Sequence, residues 1–311
     1  MNNRGLDTLA FPKLAETDWW KLVSKELQDV EAESLSYLYH DDVAMPLAVY
    51  PHASDTEPIR WRQQASWCGG FSFAADAPWD SNLLEWAIRN GTSSFHIASP
   101  GDRMGTIYSL SKKYPQVQWS LGEGEKLKEI PKSDIKPMGF RSSEEDIPAQ
   151  VVSSSLNAMD WLTKQGENLE HAVGSIRFLR PICPNYLQEI ALGRAQRIVW
   201  RNMLKAFTLD NPNPPLFTSL LTVRQIPSAE QFLLEAGPRM LSALLGGSDR
   251  IWFEFSGNDA FPYLQNLGFI FQLFRLEAGI GSVSDPIAGS YYLEELTRKT
   301  AAWLWRESGG G

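Results

Sequence analysis

The stretch Ser175–Phe207, which reads SIRFLRPICPNYLQEIALGRAQRIVWRNMLKAF, decides the fold class. Its first residues, Ser175–Leu179, form a short apolar and β-branched run that is typical of a strand. From Tyr186 to Phe207, apolar residues then recur at helical spacing. Because neighbouring parallel strands need a long crossover, a strand that leads into such a helix predicts an α/β fold with a parallel sheet.

The same rhythm continues on both sides of this stretch. The predicted strands are Ile59–Gln63, Ser94–Ala98, Val117–Leu121, Lys136–Phe140, Gln150–Ser154, Ser175–Leu179, Leu216–Leu221 and Arg250–Phe255. The predicted helices are Ser81–Asn90, Asp102–Tyr114, Leu156–His171, Tyr186–Phe207, Ser228–Leu245, Ala260–Ala278 and Glu294–Arg306. Eight strands that alternate with helices predict a TIM (β/α)8 barrel.

The middle of this barrel is its weakest part. Residues 122–136 and 141–149 are short, charged segments with few apolar positions, so we expect degenerate or missing helices there. An open, doubly wound sheet stays as an alternative architecture.

The chain before the barrel is predicted to form a separate region, residues 1–58, followed by the barrel domain at 59–308. Thr17 or Asp18 is a suitable cap for an N-terminal helix, and an apolar face follows at helical spacing. Prolines at 46, 51 and 58 then predict an extended arm.

Composition excludes several classes of function. The net charge is −8 and no block of Lys and Arg occurs, so we expect no nucleic-acid partner. The only cysteines, Cys68 and Cys183, form neither a disulfide framework nor a metal-binding CxxC pair. No apolar run has the length of a membrane span, and Met1–Ala10 lacks the core of a signal peptide. We therefore expect a cytoplasmic protein without a metal site or a membrane partner.

Four stretches carry a resemblance to one family. Residues Gly281–Thr297, GSVSDPIAGSYYLEELT, resemble the DP-x-x-GS-x-Y-x-E-x-LT signature that closes the barrel of methylmalonyl-CoA mutases. Glu189–Trp200, EIALGRAQRIVW, resembles the family's E-x-A-x-x-R-A-x-R-x-x-W helix. Phe11–Leu27 resembles the family's N-terminal helix, above all that of its small subunits, and Gln272–Ala278 resembles the helix before the closing signature. The four matches follow the family's order.

The residues of these motifs also have plain structural interpretations. Asp285 is expected to start a turn, and Thr297 to form a local hydrogen bond to the backbone. Arg194 and Arg197 lie three residues apart with Glu189 about a turn earlier, which predicts ion pairs within the helix.

The resemblance also implies what this chain lacks. Cobalamin-binding members carry a D-x-H-x-x-G motif, and none of the four histidines here lies in one. Active members carry an R-Q-Y-A-G-F stretch whose tyrosine lies at the reacting centre, and here Gln64 stands where that tyrosine would be. Residues Val152–Asn157 stand where the family has a G-Y-H element, and they contain no histidine. We therefore expect no catalytic residue and no cofactor bound by this chain.

Three isolated features are candidates for a functional site. Arg224 and Gln225 follow the seventh predicted strand, in a loop that the family uses near the coenzyme A chain, so they are the predicted substrate-binding residues. His96 is predicted to be a satisfied histidine of the barrel, and the Gly69-Gly70 pair to be a turn.

The resemblance implies a non-catalytic small subunit. It would form a heterodimer with the catalytic large subunit of an adenosylcobalamin-dependent isomerase that interconverts methylmalonyl-CoA and succinyl-CoA. Trp19 and Trp20 are the predicted interface anchors, because aromatic residues dominate interface cores. Two alternatives stay open: a barrel fragment of an active mutase that needs a cobalamin domain in trans, and a stand-alone acyl-CoA-binding protein.

Overall fold

The computed structural model describes residues 15–28, 35–40, 43–46, 67–74, 77–121, 133–134, 138–141, 146–164, 169–207, 215–223, 228–255, 261–283 and 285–310. The chain divides into two compact units, Met1–Asp55 and Thr56–Gly311.

The N-terminal unit contains a helix and a two-stranded sheet. Helix α1 spans Glu16–Glu26, close to its predicted place, but its N-cap is Ala15, which offers no side-chain hydrogen bond. The prediction that Thr17 or Asp18 caps the helix is therefore wrong, because both lie inside it. Strands β1 (Ser36–His40) and β2 (Val43–Pro46) pair antiparallel within the range predicted to be an extended arm.

The second unit contains a parallel sheet, which confirms the α/β class. Its described strands are β3 (Cys68–Phe73), β4 (Ser94–Ile97), β5 (Gln118–Leu121), β6 (Ser133–Asp134), β7 (Met138–Arg141), β8 (Ile176–Pro181), β9 (Leu216–Val223) and β10 (Arg250–Phe255). Five predicted strands match β4, β5, β8, β9 and β10, and a sixth overlaps β7. The strand predicted at Ile59–Gln63 lies outside the described residues.

The strands follow the order β6-β5-β4-β3-β10-β9-β8-β7, in which the first strand of the sheet lies beside the last. A doubly wound sheet would instead reverse its strand order near the middle. The two edge strands, β6 and β7, are separated by three residues, 135–137, so their facing ends lie within about 15 Å of each other. A flat sheet of eight strands would hold its edges roughly 34 Å apart. The sheet is therefore curled. The described strands include no pairing of β6 with β7, so a closed barrel is not shown.

Helices cover one face of this sheet. They are α2 (Ser81–Arg89), α3 (Met104–Lys113, after a 3₁₀ turn at Gly101–Arg103), α4 (Ile147–Thr163), α5 (Leu169–Ser175), α6 (Tyr186–Lys205), α7 (Ala229–Leu245), α8 (Phe261–Gln272, followed by a π-helical turn at Leu273–Glu277) and α9 (Tyr291–Glu307). The three residues between β6 and β7 are fewer than one helical turn, so no crossover helix fits there.

Helix α4 contradicts the strand predicted at Gln150–Ser154. Asp146 caps the helix by accepting a hydrogen bond from the Ala149 N–H at 3.3 Å, and a proline occupies its first turn. The buried positions recur at helical spacing from Ile147 to Leu162. A short β-branched run cannot be distinguished from a buried helix segment by its composition.

The apolar core lies between the sheet and helices α2, α3, α7 and α8. One row of side chains, in register across five neighbouring strands, forms its centre. From β9 to β5 the row is Leu221, Phe253, Phe71, Phe95 and Trp119, all nearly or fully buried. The Phe95 and Trp119 rings stack with centroids 5.0 Å apart. The face of the sheet that carries this row therefore packs against the helices. The opposite face lines the inside of the curl.

Candidate functional site

The inner face of the curled sheet is polar. Near the carboxyl ends of the strands, one row in register carries Thr222, Glu254, Ser72, His96 and Ser120, from β9 to β5. Ligands of parallel sheets lie at the carboxyl ends of the strands, so this upper row occupies the usual place for a binding site. The upper row is the candidate functional site.

Two hydroxyl groups of the inner face have no hydrogen-bond partner among the residues that the structure describes. Ser120 is 2% exposed and Thr218 is 1% exposed, and within the described part of the chain neither side-chain oxygen has a hydrogen-bond partner. Buried hydroxyls are normally satisfied by protein, water or ligand. These two are therefore available to a water molecule or a polar ligand inside the curl.

A second row of inner-face side chains lies two residues closer to the amino ends of the strands, and its members contact one another. The indole N–H of Trp252 donates a hydrogen bond to Ser94 Oγ at 3.0 Å, and its ring stacks on the His96 ring with centroids 5.1 Å apart. Below it, the Arg250 guanidinium donates to Gln118 Oε1 at 2.6 Å. Arg250 lies on β10 and Gln118 on β5, three strands away, so this contact crosses the inside of the curl.

His96 therefore lies on the inner face of the curled sheet, and its role as a satisfied barrel histidine stays a prediction. The near-parallel stack, with 14° between the ring planes, covers one face of its imidazole. Among the described residues, no group of three or more His, Cys, Asp or Glu side chains could hold a metal ion.

The Gly69-Gly70 pair lies inside β3, so its prediction as a turn is wrong. Each glycine allows a close approach on one face of the strand. An added Cβ at Gly69 would lie 2.5 Å from the Phe271 ring on the helix side. An added Cβ at Gly70 would lie 1.9 Å from the carbonyl oxygen of Ser94. The pair thus reflects tight packing in an extended strand rather than a left-handed turn.

Three ion pairs hold helix α6 in place, two of them buried and the Arg197–Asp249 pair partly buried, and none is the predicted pair within the helix. Arg180 of β8 forms two 2.6 Å hydrogen bonds to Glu189. Arg197 donates to Asp249 at 2.7 Å. Arg194 bonds to Asp285, where the closing signature begins. The intrahelical prediction is wrong because these charged side chains are buried or partly buried and point to neighbouring segments, not to one another along the helix surface.

The local predictions for the closing signature are confirmed. Asp285 starts a turn in which its Oδ1 accepts a hydrogen bond from the Ile287 N–H at 3.2 Å. The Thr297 hydroxyl donates to the Leu293 carbonyl oxygen at 2.6 Å, within α9. These contacts give both residues a structural role.

Cys183 lies at the carboxyl end of β8 and is shielded from solvent. Its backbone N–H donates to Glu189 Oε2 at 2.8 Å, and its thiol lies 3.2 Å from the Gln188 side-chain oxygen. Burial raises the pKa of the Cys183 thiol. A thiol that resists ionisation is a poor nucleophile.

The predicted site residues Gln64, Arg224 and Gln225 lie outside the described residues, and their roles stay predictions. The Gly70-Phe71 pair, which follows the Gln64 match after an offset, lies in β3.

None of the helices in the described ranges combines the length and the apolar character required to cross a bilayer. This finding agrees with the absence of a long apolar run in the sequence.

Comparison with known proteins shows a distant relationship to one family. No family model matches the chain. A methylmalonyl-CoA mutase of Cereibacter sphaeroides is 28% identical over 156 residues, which are 45% of this chain and 21% of that protein. The methylmalonyl-CoA mutase small subunits of Porphyromonas gingivalis and Propionibacterium freudenreichii subsp. shermanii are each 28% identical, over 48% and 47% of this chain and 25% and 24% of those proteins. The matched segment thus spans a quarter or less of each relative. The chain is a distant, family-level relative of the methylmalonyl-CoA mutases.

Proposed function

We propose that the chain is a non-catalytic partner of the large subunit of an adenosylcobalamin-dependent methylmalonyl-CoA mutase. Two of its relatives are named as small subunits, which supports a partner role. Adenosylcobalamin is then held by the large subunit, and the isomerisation of methylmalonyl-CoA and succinyl-CoA takes place there. A cytoplasmic location stays a prediction.

An exposed apolar stripe on α8 and its π-helical turn carries the proposal. Phe269, Leu273 and Leu276 are 69%, 53% and 72% exposed, and their spacing of four and three residues puts them near one helix face. Contiguous apolar surface of this kind marks interaction sites, because water contact with it is unfavourable. We assign this stripe to the contact with the large subunit.

Co-expression with a mutase large subunit tests the proposal. We expect the wild-type chain to co-elute with the large subunit in size-exclusion chromatography, and a Phe269→Glu/Leu276→Glu double variant to elute alone. Leu156→Glu is the matched control, since Leu156 is a 42% exposed leucine on α4, outside the stripe. Absence of a complex with the wild-type chain, or equal binding by the stripe variant, would refute the proposal.

The Trp19 and Trp20 anchors belong to the same proposal. Both are half-buried on α1, and their rings meet edge to face with centroids 4.7 Å apart. If they are anchors, Trp19→Ala/Trp20→Ala weakens the complex without changing the elution of the chain alone. An unchanged affinity assigns the contact to the α8 stripe only.

Acyl-CoA binding is the second candidate function, and the polar upper row favours it. Its hydroxyl, imidazole and carboxylate groups are suited to small polar groups of an acyl-CoA ligand that enter from the carboxyl ends of the strands. In this proposal Arg224 pairs with a phosphate group of the ligand and Gln225 assists it. Calorimetry with coenzyme A tests it: we expect Arg224→Ala to weaken binding about ten-fold, and no heat of binding to the wild-type chain would exclude it.

The remaining alternative is a barrel fragment that gains mutase activity when a cobalamin domain is supplied in trans. An activity assay distinguishes it from the partner role and from acyl-CoA binding. Turnover of methylmalonyl-CoA after addition of a separate cobalamin-binding protein would favour it over the partner role.

A fully closed barrel is also part of the proposal. The short link between β6 and β7 supports it, because it keeps the two edges of the sheet close together. Hydrogen exchange tests closure. Slow exchange of the amides of both β6 and β7 is expected if the edges are bonded, and fast exchange throughout both strands would leave the sheet open.

A further inference from the structure

Trp252 occupies an unusual place for a large aromatic side chain. It is 1% exposed, yet it points to the inner face, away from the helices and their apolar core. Toward β3, β4 and β5 its row holds the small or polar residues Gly70, Ser94 and Gln118, and on β9 its partner in register is Leu220. The indole is therefore buried by the curl of the sheet itself.

The register explains how the indole fits there. Trp252 on β10, Gly70 on β3 and Ser94 on β4 lie side by side, and the indole N–H bonds to Ser94 two strands away. The indole must therefore pass over Gly70, the one position of the three with no side chain. The stack on His96 fixes the ring from the upper side.

A second contact, between Arg250 and Gln118, also crosses this part of the interior. Arg250 lies two residues before Trp252 on the same face of β10, and its bond to Gln118 runs from β10 to β5. The guanidinium also lies 6.0 Å from the Trp252 ring centroid. Side chains that bond to one another thus occupy the interior below the upper row at two levels.

We propose that Trp252 is a plug that sets the depth of the interior and so limits which ligands the inner face accepts. Above it, the upper row with its free Ser120 hydroxyl stays available to small polar groups that enter from the carboxyl ends. An extended amide chain does not pass Trp252. The inference rests on the proposed acyl-CoA binding only for the choice of probe.

The probe is pantetheine, the amide chain of coenzyme A without its nucleotide, and binding is measured by calorimetry. The wild-type chain is expected to bind it weakly or not at all. Trp252→Gly is expected to bind it at least about ten-fold more tightly, because the chain then enters the vacated space. Trp119→Gly is the matched control: Trp119 is equally buried but lies on the helix side, so its loss opens no space inside the curl.

Two results overturn the proposal: pantetheine binding by the wild-type chain as tight as by Trp252→Gly, and no gain in a folded Trp252→Gly. Circular dichroism and cooperative unfolding establish that each variant is folded. If Trp252→Gly does not fold, Trp252→Leu takes its place, since it keeps a buried apolar side chain and removes both rings. Coenzyme A binding that depends on Arg224, and complex formation with a large subunit, are measured separately, so failure of the plug is distinct from failure of the proposed function.

Discussion

The Arg194 guanidinium lies 2.5 Å from the Asp285 carboxylate, and both side chains are 5% exposed although 91 residues separate them. Each belongs to a different motif of the family resemblance, one on helix α6 and one at the start of the closing signature. The ion pair therefore connects the two motifs, because it holds the start of the closing signature against α6.

Removal of one partner of this pair is expected to be costly. Arg194→Met leaves Asp285 as a buried charge without its counter-ion, which lowers the free energy of unfolding by about 3–5 kcal/mol. Urea unfolding measures the change. In Arg194→Met/Asp285→Leu no charge is left behind, so the double variant is expected to be more stable than the single one.

The exposed pair Arg298–Glu295 is the control for this experiment. Arg298 is 68% exposed, so Arg298→Met is expected to cost less than about 1 kcal/mol. Equal losses at the buried and exposed pairs would contradict the role assigned to Arg194.

Gly70→Ala is expected to destabilise the sheet. The added methyl group would lie 1.9 Å from the Ser94 carbonyl oxygen, so the backbone of β3 or β4 has to move. Overpacking of this kind typically costs about 1–3 kcal/mol. Thermal and urea unfolding measure it, and a loss of the Trp252–Ser94 hydrogen bond is expected with it.

Gly105→Ala is expected to have the opposite effect, a gain in stability. Gly105 lies in α3, is exposed, and an added Cβ there meets nothing within 4 Å. We expect a gain of roughly 0.5–1 kcal/mol, because alanine loses less conformational entropy than glycine when a helix forms. The same sign of effect at both glycines would argue against the packing described for Gly70.

The buried Cys183 thiol is expected to make the folded protein less stable at alkaline pH. Burial raises the pKa of its thiol, so the unfolded chain ionises this group at a lower pH than the folded protein does. The contribution is fully present below the ordinary thiol pKa and is lost as pH rises through the raised value. Urea unfolding at about pH 7 and about pH 10 measures it.

Cys183→Ala is expected to flatten this pH dependence, whereas Cys68→Ala, which keeps the buried thiol, is expected to retain it. A wild-type slope that survives in Cys183→Ala would assign the alkaline loss to other groups.

The sequence predicts the regular parts of this fold well. Arg250–Phe255 was predicted with the bounds that the structure has, and Tyr186–Phe207 nearly so, because apolar periodicity and capping residues are local signals. Two predictions are wrong for the same reason: the strand at Gln150–Ser154 and the turn at Gly69-Gly70. A short β-branched run and a glycine pair each suit two local structures, and only tertiary packing selects between them.

The candidate site was less accessible to sequence analysis. The upper row combines side chains from five strands, and which face each strand turns inward depends on register. The ion pairs of α6 were missed because Asp249 and Asp285 are distant in sequence from the arginines that they contact. Trp252 is one of twelve tryptophans, and nothing in its local sequence separates it from those of the core.

The Arg194–Asp285 pair also has a consequence for synthesis of the chain. Arg194 leaves the ribosome 91 residues before its counter-ion does, a delay of about 5–18 s at roughly 5–20 residues per second. Throughout that interval α6 carries a buried-type cation that still lacks the Asp285 carboxylate. The nascent helix is therefore expected to stay undocked, and to be a substrate for chaperones, until the closing signature has been translated.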